Sequence, residues 1–183
     1  MTRTLVFGGA RSGKSAHAER LAAASGKEVV YIATAAAGDA EMTARIGLHR
    51  AQRPQHWHTV EEPIALASAL AEWRSPRRLV LVDCLTLWLS NLMFSEGTHY
   101  PDVGTIELPA RFHEQRTALL DELSVERGDV VLVSNEVGMG IVPWGAVSRS
   151  YVDEAGRLNQ SVAAVCDRVA FVAAGLPLML KGA

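Results

Sequence analysis

The sequence has few cysteines, almost no surplus charge and no long hydrophobic run. Its two cysteines, Cys84 and Cys166, are far apart in the chain, and neither stands at metal-ligand spacing from another ligating residue. This excludes a disulfide framework and a zinc module, and we expect two buried, reduced thiols. The longest apolar stretch, residues 169–180, is interrupted by Gly175 and Pro177 and is too short to span a bilayer.

The positive and negative charges of the side chains nearly cancel. The 183 residues include 18 lysines and arginines and 20 aspartates and glutamates, which gives a net charge of −2. This balance lacks the overall basic field that holds nucleic acid or an anionic membrane. The chain also reaches its first glycine after only a few apolar residues, too early for a secretory signal. We therefore expect a cytoplasmic protein whose partners are small molecules, with no nucleic acid and no membrane among them.

Short apolar runs alternate with longer segments rich in alanine and leucine. Continuous apolar runs are typical of strands buried on both faces of a parallel sheet, and the longer segments have helical periodicity. This alternation predicts a doubly wound α/β domain. The predicted strands cover residues 4–7, 28–33, 79–82, 130–133, 169–172 and 178–180, and the predicted helices cover residues 15–25, 64–73, 109–127 and 154–167. Residues 95–109 contain several glycines and prolines and predict a mobile or variable loop.

A phosphate-binding motif follows the first predicted strand. It has the pattern G-x-x-x-x-G-K-[ST] and consists of Gly8, Gly9, Ala10, Arg11, Ser12, Gly13, Lys14 and Ser15. Glycines let backbone N–H groups turn toward phosphate oxygens, the lysine supplies a positive charge, and the serine hydroxyl is placed to bind Mg²⁺. With the strand and helix pattern, the motif predicts one P-loop (RecA-like) α/β domain over residues 1–183. We expect its sheet to be mostly parallel and covered by helices on both faces.

A second candidate metal ligand, Asp83, follows the buried run at residues 79–82. Its carboxylate is suited to hold Mg²⁺ directly or through water. Asp83 is equally suited to cap a helix that starts at Leu85, and the two roles are compatible.

A histidine lies among arginines on a predicted helix over residues 39–50. Arg45 and His49 are four residues apart and therefore share a face, and Arg50 and Arg53 follow. A neutral imidazole is a competent nucleophile near pH 7, and arginines stabilise a transferring phosphoryl group. Spacing alone favours a solvated helix face with an incidental histidine over this catalytic interpretation.

Taken together, these motifs resemble the bifunctional adenosylcobinamide kinase / adenosylcobinamide-phosphate guanylyltransferase family. The resemblance covers nearly the whole chain except the loop around residues 95–109. The motifs that carry it are the phosphate loop at residues 8–15, Y-I-A-T at 31–34, R-I-G-L-H-R at 45–50, N-E-V-G-M-G-I-V-P at 135–143, D-E-A-G-R-L-N-Q at 153–160 and G-L-P at 175–177.

The resemblance implies two reactions that assemble adenosylcobalamin (vitamin B12). ATP or GTP phosphorylates adenosylcobinamide, and GMP is then transferred from GTP to adenosylcobinamide phosphate, which gives adenosylcobinamide-GDP and pyrophosphate. It also implies a GMP-histidine intermediate at His49 and assembly as a homotrimer. Catalysis then falls to His49 and Lys14, with Ser15 and Asp83 at Mg²⁺. Besides residues 8–15, the implied nucleotide contacts are Ala33, Thr34, Ala35, Arg50, Ala51, Gln52, Arg53, Glu61 and Asp83.

Three assignments stay open at this point. Glu62 has the same hydrogen-bonding capacity as its neighbour Glu61. The segment that begins at Asn135 suits either a substrate edge or a contact between subunits. Two other functions compete with the bifunctional enzyme: a plain P-loop small-molecule kinase in which His49 only contacts phosphate, and a non-catalytic nucleotide-binding module.

Overall fold

The computed structural model describes residues 1–35, 54–94 and 97–182. The helix predicted over residues 39–50 lies outside these ranges. So do five of the predicted site residues, namely His49, Arg50, Ala51, Gln52 and Arg53.

The described residues form seven strands and five helices. The strands are β1 (Arg3–Gly8), β2 (Glu28–Ala33), β3 (His58–Glu61), β4 (Arg78–Asp83), β5 (Asp129–Asn135), β6 (Arg168–Ala173) and β7 (Leu176–Lys181). The helices are α1 (Lys14–Ala24), α2 (Leu66–Trp73), α3 (Leu85–Phe94), α4 (Ala110–Ser124) and α5 (Ala146–Val165). Every predicted strand and helix within these ranges is present, but α5 begins at Ala146 instead of the predicted residue 154. The described part of the predicted loop, residues 97–109, contains neither helix nor strand.

The seven strands form one sheet in the order β3-β2-β4-β5-β1-β6-β7. Every neighbouring pair is parallel except β6 and β7, which form an antiparallel hairpin at one edge. The central strands β4 and β5 are buried along most of their length, as expected for apolar runs covered on both faces. The mostly parallel α/β sheet is therefore confirmed.

Helices cover both faces of the sheet, as predicted, but unequally. One face carries a large apolar core to which α2, α3, α4 and α5 contribute, for example through Leu70, Trp88, Phe112 and Leu158. The other face packs against α1, whose Ala18 and Ala22 are fully buried. Alanine brings the α1 backbone close to the sheet, directly below the phosphate loop from which this helix starts.

The two cysteine thiols are free and buried, as the sequence predicts. Burial raises the pKa of Cys166 to about 12, so this thiol is neutral at physiological pH. No helix within residues 1–35, 54–94 and 97–182 is long and apolar enough to cross a bilayer.

Candidate active site

The sheet brings several predicted site residues to one edge. Gly8 at the end of β1 is in register with Asn135 at the end of β5. Asp83 at the end of β4 is in register with Ala33, and Ala33 is in turn beside Glu61 at the end of β3. Parallel strands place their carboxyl ends together, and open α/β sheets bind ligands at that edge.

At two positions, the phosphate loop accommodates only glycine. Gly13 has φ +90°, in the left-handed region, and it is the N-cap of α1. A Cβ on Gly8 would lie 2.2 Å from the carbonyl oxygen of Val172, closer than real atoms approach. The loop therefore requires glycine both where it leaves β1 and where it enters α1.

The Lys14 side chain is buried beneath this loop. Its Nζ donates a hydrogen bond of 3.2 Å to the carbonyl of Gly9. Burial lowers the pKa of Lys14, and the neighbouring Cys84 and Asp83 act in the opposite direction. Burial also raises the pKa of the Cys84 thiol, which makes it neutral. A desolvated cation at the first turn of α1, where the helix dipole is positive, favours a polyanionic ligand.

Ser12 contributes an unsatisfied hydroxyl to the same loop. The residue is buried, and its Oγ has no hydrogen-bond partner in the part of the chain that the structure describes. A buried hydroxyl without a partner costs free energy, and a bound phosphate oxygen would satisfy it.

The Asp83 carboxylate is oriented by a tyrosine on the neighbouring strand. The Tyr31 hydroxyl donates a hydrogen bond of 2.8 Å to Asp83 Oδ2. Helix α3 begins at Leu85, so Cys84 and not Asp83 occupies its N-cap position. Asp83 ends β4 at the sheet edge, where its carboxylate can serve the ligand.

Ser15 and Asp83 together fit Mg²⁺. Both offer hard oxygen donors, and Mg²⁺ usually takes only one or two protein ligands beside phosphate oxygens and water. The described residues contain no cluster of three or more histidine, cysteine, aspartate or glutamate side chains. The metal role of both residues stays a prediction.

The turn after β2 is built around Thr34. Its hydroxyl donates to the carbonyl of Cys84 at 2.7 Å and accepts the Cys84 N–H at 2.9 Å, and the Thr34 carbonyl accepts a hydrogen bond from Asn91. The hydroxyl proton is therefore used inside the protein. The nucleotide contact predicted for Ala33, Thr34 and Ala35 falls most readily to the partly exposed Ala35.

Glu62 is engaged in the turn before α2. Glu62 Oε1 accepts the N–H groups of Ile64 and Ala65 at 2.8 and 2.6 Å, which organises the turn before α2. Glu61 is exposed at the end of β3, beside Ala33. The position of Glu61 at the ligand edge supports it, rather than Glu62, as the nucleotide contact.

Asn135 lies at the same edge, between the phosphate loop and Asp83. Its side-chain nitrogen donates to Thr86 Oγ1 at 2.5 Å, while Asn159 donates to the Asn135 carbonyl at 3.1 Å. The main chain of Glu136 donates to the Gly8 carbonyl at 2.9 Å. The segment that starts at Asn135 is thus attached to the start of the phosphate loop, which favours the substrate-edge interpretation for its first residues.

Sequence reasoning missed Tyr31 as a site residue. The available signal was the alternation of side chains between the two faces of a strand. Tyr31 is in register with Leu81, and Asp83 follows Leu81 by two residues on β4, so Tyr31 and Asp83 share a face of the sheet. His49 and residues 50–53 lie outside the described residues, so the structure adds nothing to their predicted roles.

This loop, at the head of a mostly parallel sheet and beside an aspartate on a nearby strand, defines a P-loop nucleotide-binding protein. The model of one family, cobinamide kinase / cobinamide phosphate guanyltransferase, matches residues 4–180. The chain belongs to this family and is accordingly an enzyme.

Two curated relatives match the chain over nearly their full length. The chain is 54% identical over 180 residues to the bifunctional adenosylcobalamin biosynthesis protein CobP of Pseudomonas aeruginosa, and the match covers 98% of each chain. It is 41% identical over 179 residues to the bifunctional adenosylcobalamin biosynthesis protein CobU of Escherichia coli, covering 97% of this chain and 98% of that protein.

Among solved structures, an ATPase of a bacterial type III secretion system superposes with a TM-score of 0.57 at 14% identity. That match covers 97% of this chain and 56% of the ATPase. At this identity the likeness shows a shared P-loop fold alone.

Proposed function

We propose that the chain phosphorylates adenosylcobinamide with ATP or GTP and then transfers GMP from GTP to adenosylcobinamide phosphate, which yields adenosylcobinamide-GDP and pyrophosphate. The observation that carries this proposal is the family match over residues 4–180 together with an intact phosphate loop around the buried Lys14. Both reactions use a nucleoside triphosphate, and the loop is the described part of the chain best suited to bind one.

In the kinase step the protein positions charge and does little covalent chemistry. The Lys14 ammonium and the loop N–H groups hold the outer phosphates. Ser15 and Asp83 would hold Mg²⁺, and the bound metal would supply further neutralisation of the triphosphate. The oxygen of the terminal hydroxyl of adenosylcobinamide forms a new bond to the γ-phosphorus as the bond to the β-phosphate breaks, and ADP or GDP and the hydroxyl proton are released.

In the guanylyl transfer, we assign the nucleophile to His49 on the family resemblance. An imidazole nitrogen bonds to the α-phosphorus of GTP, and pyrophosphate leaves. A phosphate oxygen of adenosylcobinamide phosphate then bonds to the same phosphorus, and the phosphorus–nitrogen bond breaks, which restores His49. Two in-line displacements give overall retention of configuration at phosphorus.

The homotrimer also belongs to this proposal. Large apolar side chains are exposed on two segments: residues 139–144, where Ile141 is 98% and Trp144 94% exposed, and the edge strand β7. Exposed apolar patches and an uncovered sheet edge are typical of surfaces that associate. A molar mass of three chains in light scattering is the expected result, and a monomer at all concentrations would contradict it. The cytoplasmic location stays a prediction from the sequence.

The direct test is to incubate the protein with adenosylcobinamide, GTP and Mg²⁺ and to identify the corrinoid products by mass spectrometry. We expect adenosylcobinamide phosphate first and adenosylcobinamide-GDP later. A plain kinase would stop at the phosphate, and a binding module would form neither product; either result would overturn the bifunctional assignment.

A further inference from the structure

The phosphate loop is in direct backbone contact with the hairpin at the far end of the chain. The N–H of Gly175, in the turn between β6 and β7, donates a hydrogen bond of 2.8 Å to the carbonyl of Ser12. Gly13 lies so close to this turn that a Cβ on it would be 2.9 Å from the Cα of Gly175. At the start of the loop, Gly8 is packed against the carbonyl of Val172 on β6.

The turn itself is built for this contact. Ala174 and Gly175 are the two residues between β6 and β7, and both have positive φ, +51° and +79°. Positive φ at both central residues is the requirement of the two-residue type I′ hairpin turn. Both residues are exposed, so core packing does not explain why the turn lies against the loop.

The hydrogen bond fixes the orientation of one peptide group in the loop. In a trans peptide the C=O and the following N–H point to opposite sides of the chain. Because the Ser12 carbonyl points at Gly175, the Gly13 N–H points away from the hairpin. That is the side left open for an anion, since the turn fills the other.

We propose that the β6–β7 turn is a positioning element that keeps the phosphate loop in its anion-binding conformation through Gly175. The inference rests on the proposed function, in which this loop binds the triphosphate. It assigns a role to the G-L-P motif at residues 175–177, which neither the catalytic residues nor the predicted nucleotide contacts include.

The test compares two glycine-to-alanine variants that differ in location and little else. A Cβ on Gly175 or on Gly26 would meet no atom within 4 Å, and both glycines have positive φ, +79° and +67°. The backbone strain introduced by alanine is therefore similar in the two. Gly26 lies between α1 and β2, at the end of the sheet opposite to the phosphate loop. Gly26→Ala therefore controls for the effect on stability alone.

We expect Gly175→Ala to raise the apparent KM for GTP and for ATP about tenfold, with a much smaller change in kcat at saturating nucleotide. Gly26→Ala should lower the melting temperature by a similar amount and leave KM unchanged. Equal KM values in the two variants would overturn the inference while leaving the proposed function intact. A wild-type protein that uses no nucleotide would instead overturn the proposed function.

A second variant removes only the hydrogen-bond donor, the N–H of Gly175. Cys166 is a natural ligation point, so residues 166–183 can be supplied as a synthetic peptide in which glycolate replaces Gly175 and an ester replaces the amide. The same ligation with the all-amide peptide is the control. We expect the ester chain to show the same rise in KM as Gly175→Ala, and a KM equal to that of the all-amide chain would contradict the hydrogen-bond role.

Discussion

Tyr31 and Asp83, on neighbouring strands of the sheet, are joined by a hydrogen bond of 2.8 Å from the tyrosine hydroxyl to Asp83 Oδ2. Tyr31 is almost completely buried, whereas Asp83 ends its strand at the ligand edge. The bond couples a rigid core side chain to the carboxylate that we assign to Mg²⁺. Partners of this kind orient metal ligands and tune their affinity.

Replacing Tyr31 with phenylalanine tests this coupling, because the ring stays in the core and only the hydroxyl is lost. We expect the Mg²⁺ concentration at half-maximal activity to rise about tenfold. The free energy of unfolding should change by no more than about 1 kcal/mol, the usual net value of one hydrogen bond. An unchanged Mg²⁺ dependence would show that Tyr31 does not position the metal ligand.

Lys14→Met separates activity from stability. The variant keeps most of the side-chain volume and removes the charge that holds the triphosphate, so both reactions should lose about 100-fold or more in kcat/KM. Burial lowers the pKa of Lys14, which means that folding disfavours its charged form at neutral pH. We therefore expect the nucleotide-free variant to unfold at a higher urea concentration than the wild type. Lower stability together with full activity would contradict both the triphosphate-binding role of Lys14 and the destabilising effect of its buried charge.

Glu61→Ala and Glu62→Ala form a matched pair, because the same change is made at adjacent positions. Loss of the Glu62 carboxylate leaves two N–H groups at the start of α2 without their acceptor, which should cost about 1 kcal/mol of stability with KM for GTP unchanged. Glu61→Ala should raise that KM about tenfold. The reverse pattern, measured by urea unfolding and initial rates, would mean that Glu62 contacts the nucleotide and Glu61 supports the turn before α2.

The pairing of Asp167 with Arg3 predicts a pH dependence of stability. Hydrogen bonds from Arg3 lower the pKa of Asp167 to about 2, below its ordinary value of 3.8. A carboxylate whose pKa is lower in the folded state stabilises the protein above its ordinary pKa, and this contribution is lost as the pH falls toward 2. Wild type and Asp167→Asn should therefore differ in free energy of unfolding at pH 6 and converge near pH 2. The difference should be modest because the Asp167 side chain is 41% exposed, and a difference that does not change with pH would be inconsistent with the ion pair.

Much of the fold could be predicted because its strands are continuous apolar runs. The exception, β3, has the sequence H-T-V-E and lies at the sheet edge, where exposed positions accept polar residues and leave no apolar run. Helix α5 begins at Ala146, earlier than the predicted start at residue 154, because its first turns carry several polar residues.

The site could be predicted where chemistry is local in sequence and not where it depends on contacts across the fold. The phosphate loop is contiguous, so its pattern alone predicts roles for Lys14 and Ser15. The turn contacts of Glu62 needed the structure, since adjacent identical residues have the same sequence pattern. The hydrogen bond between Ser12 and Gly175 joins opposite ends of the chain, and no spacing rule connects them.

The most direct test of the account is an intact-mass spectrum of the protein after incubation with GTP and Mg²⁺, beside the His49→Ala variant. We expect an acid-labile mass increase of one GMP on the wild type and none on the variant. His49→Ala should also retain some kinase activity, which shows that it is folded. A wild-type protein that binds GTP but forms no adduct, or an adduct that persists in His49→Ala, would contradict the assignment of His49 as the nucleophile.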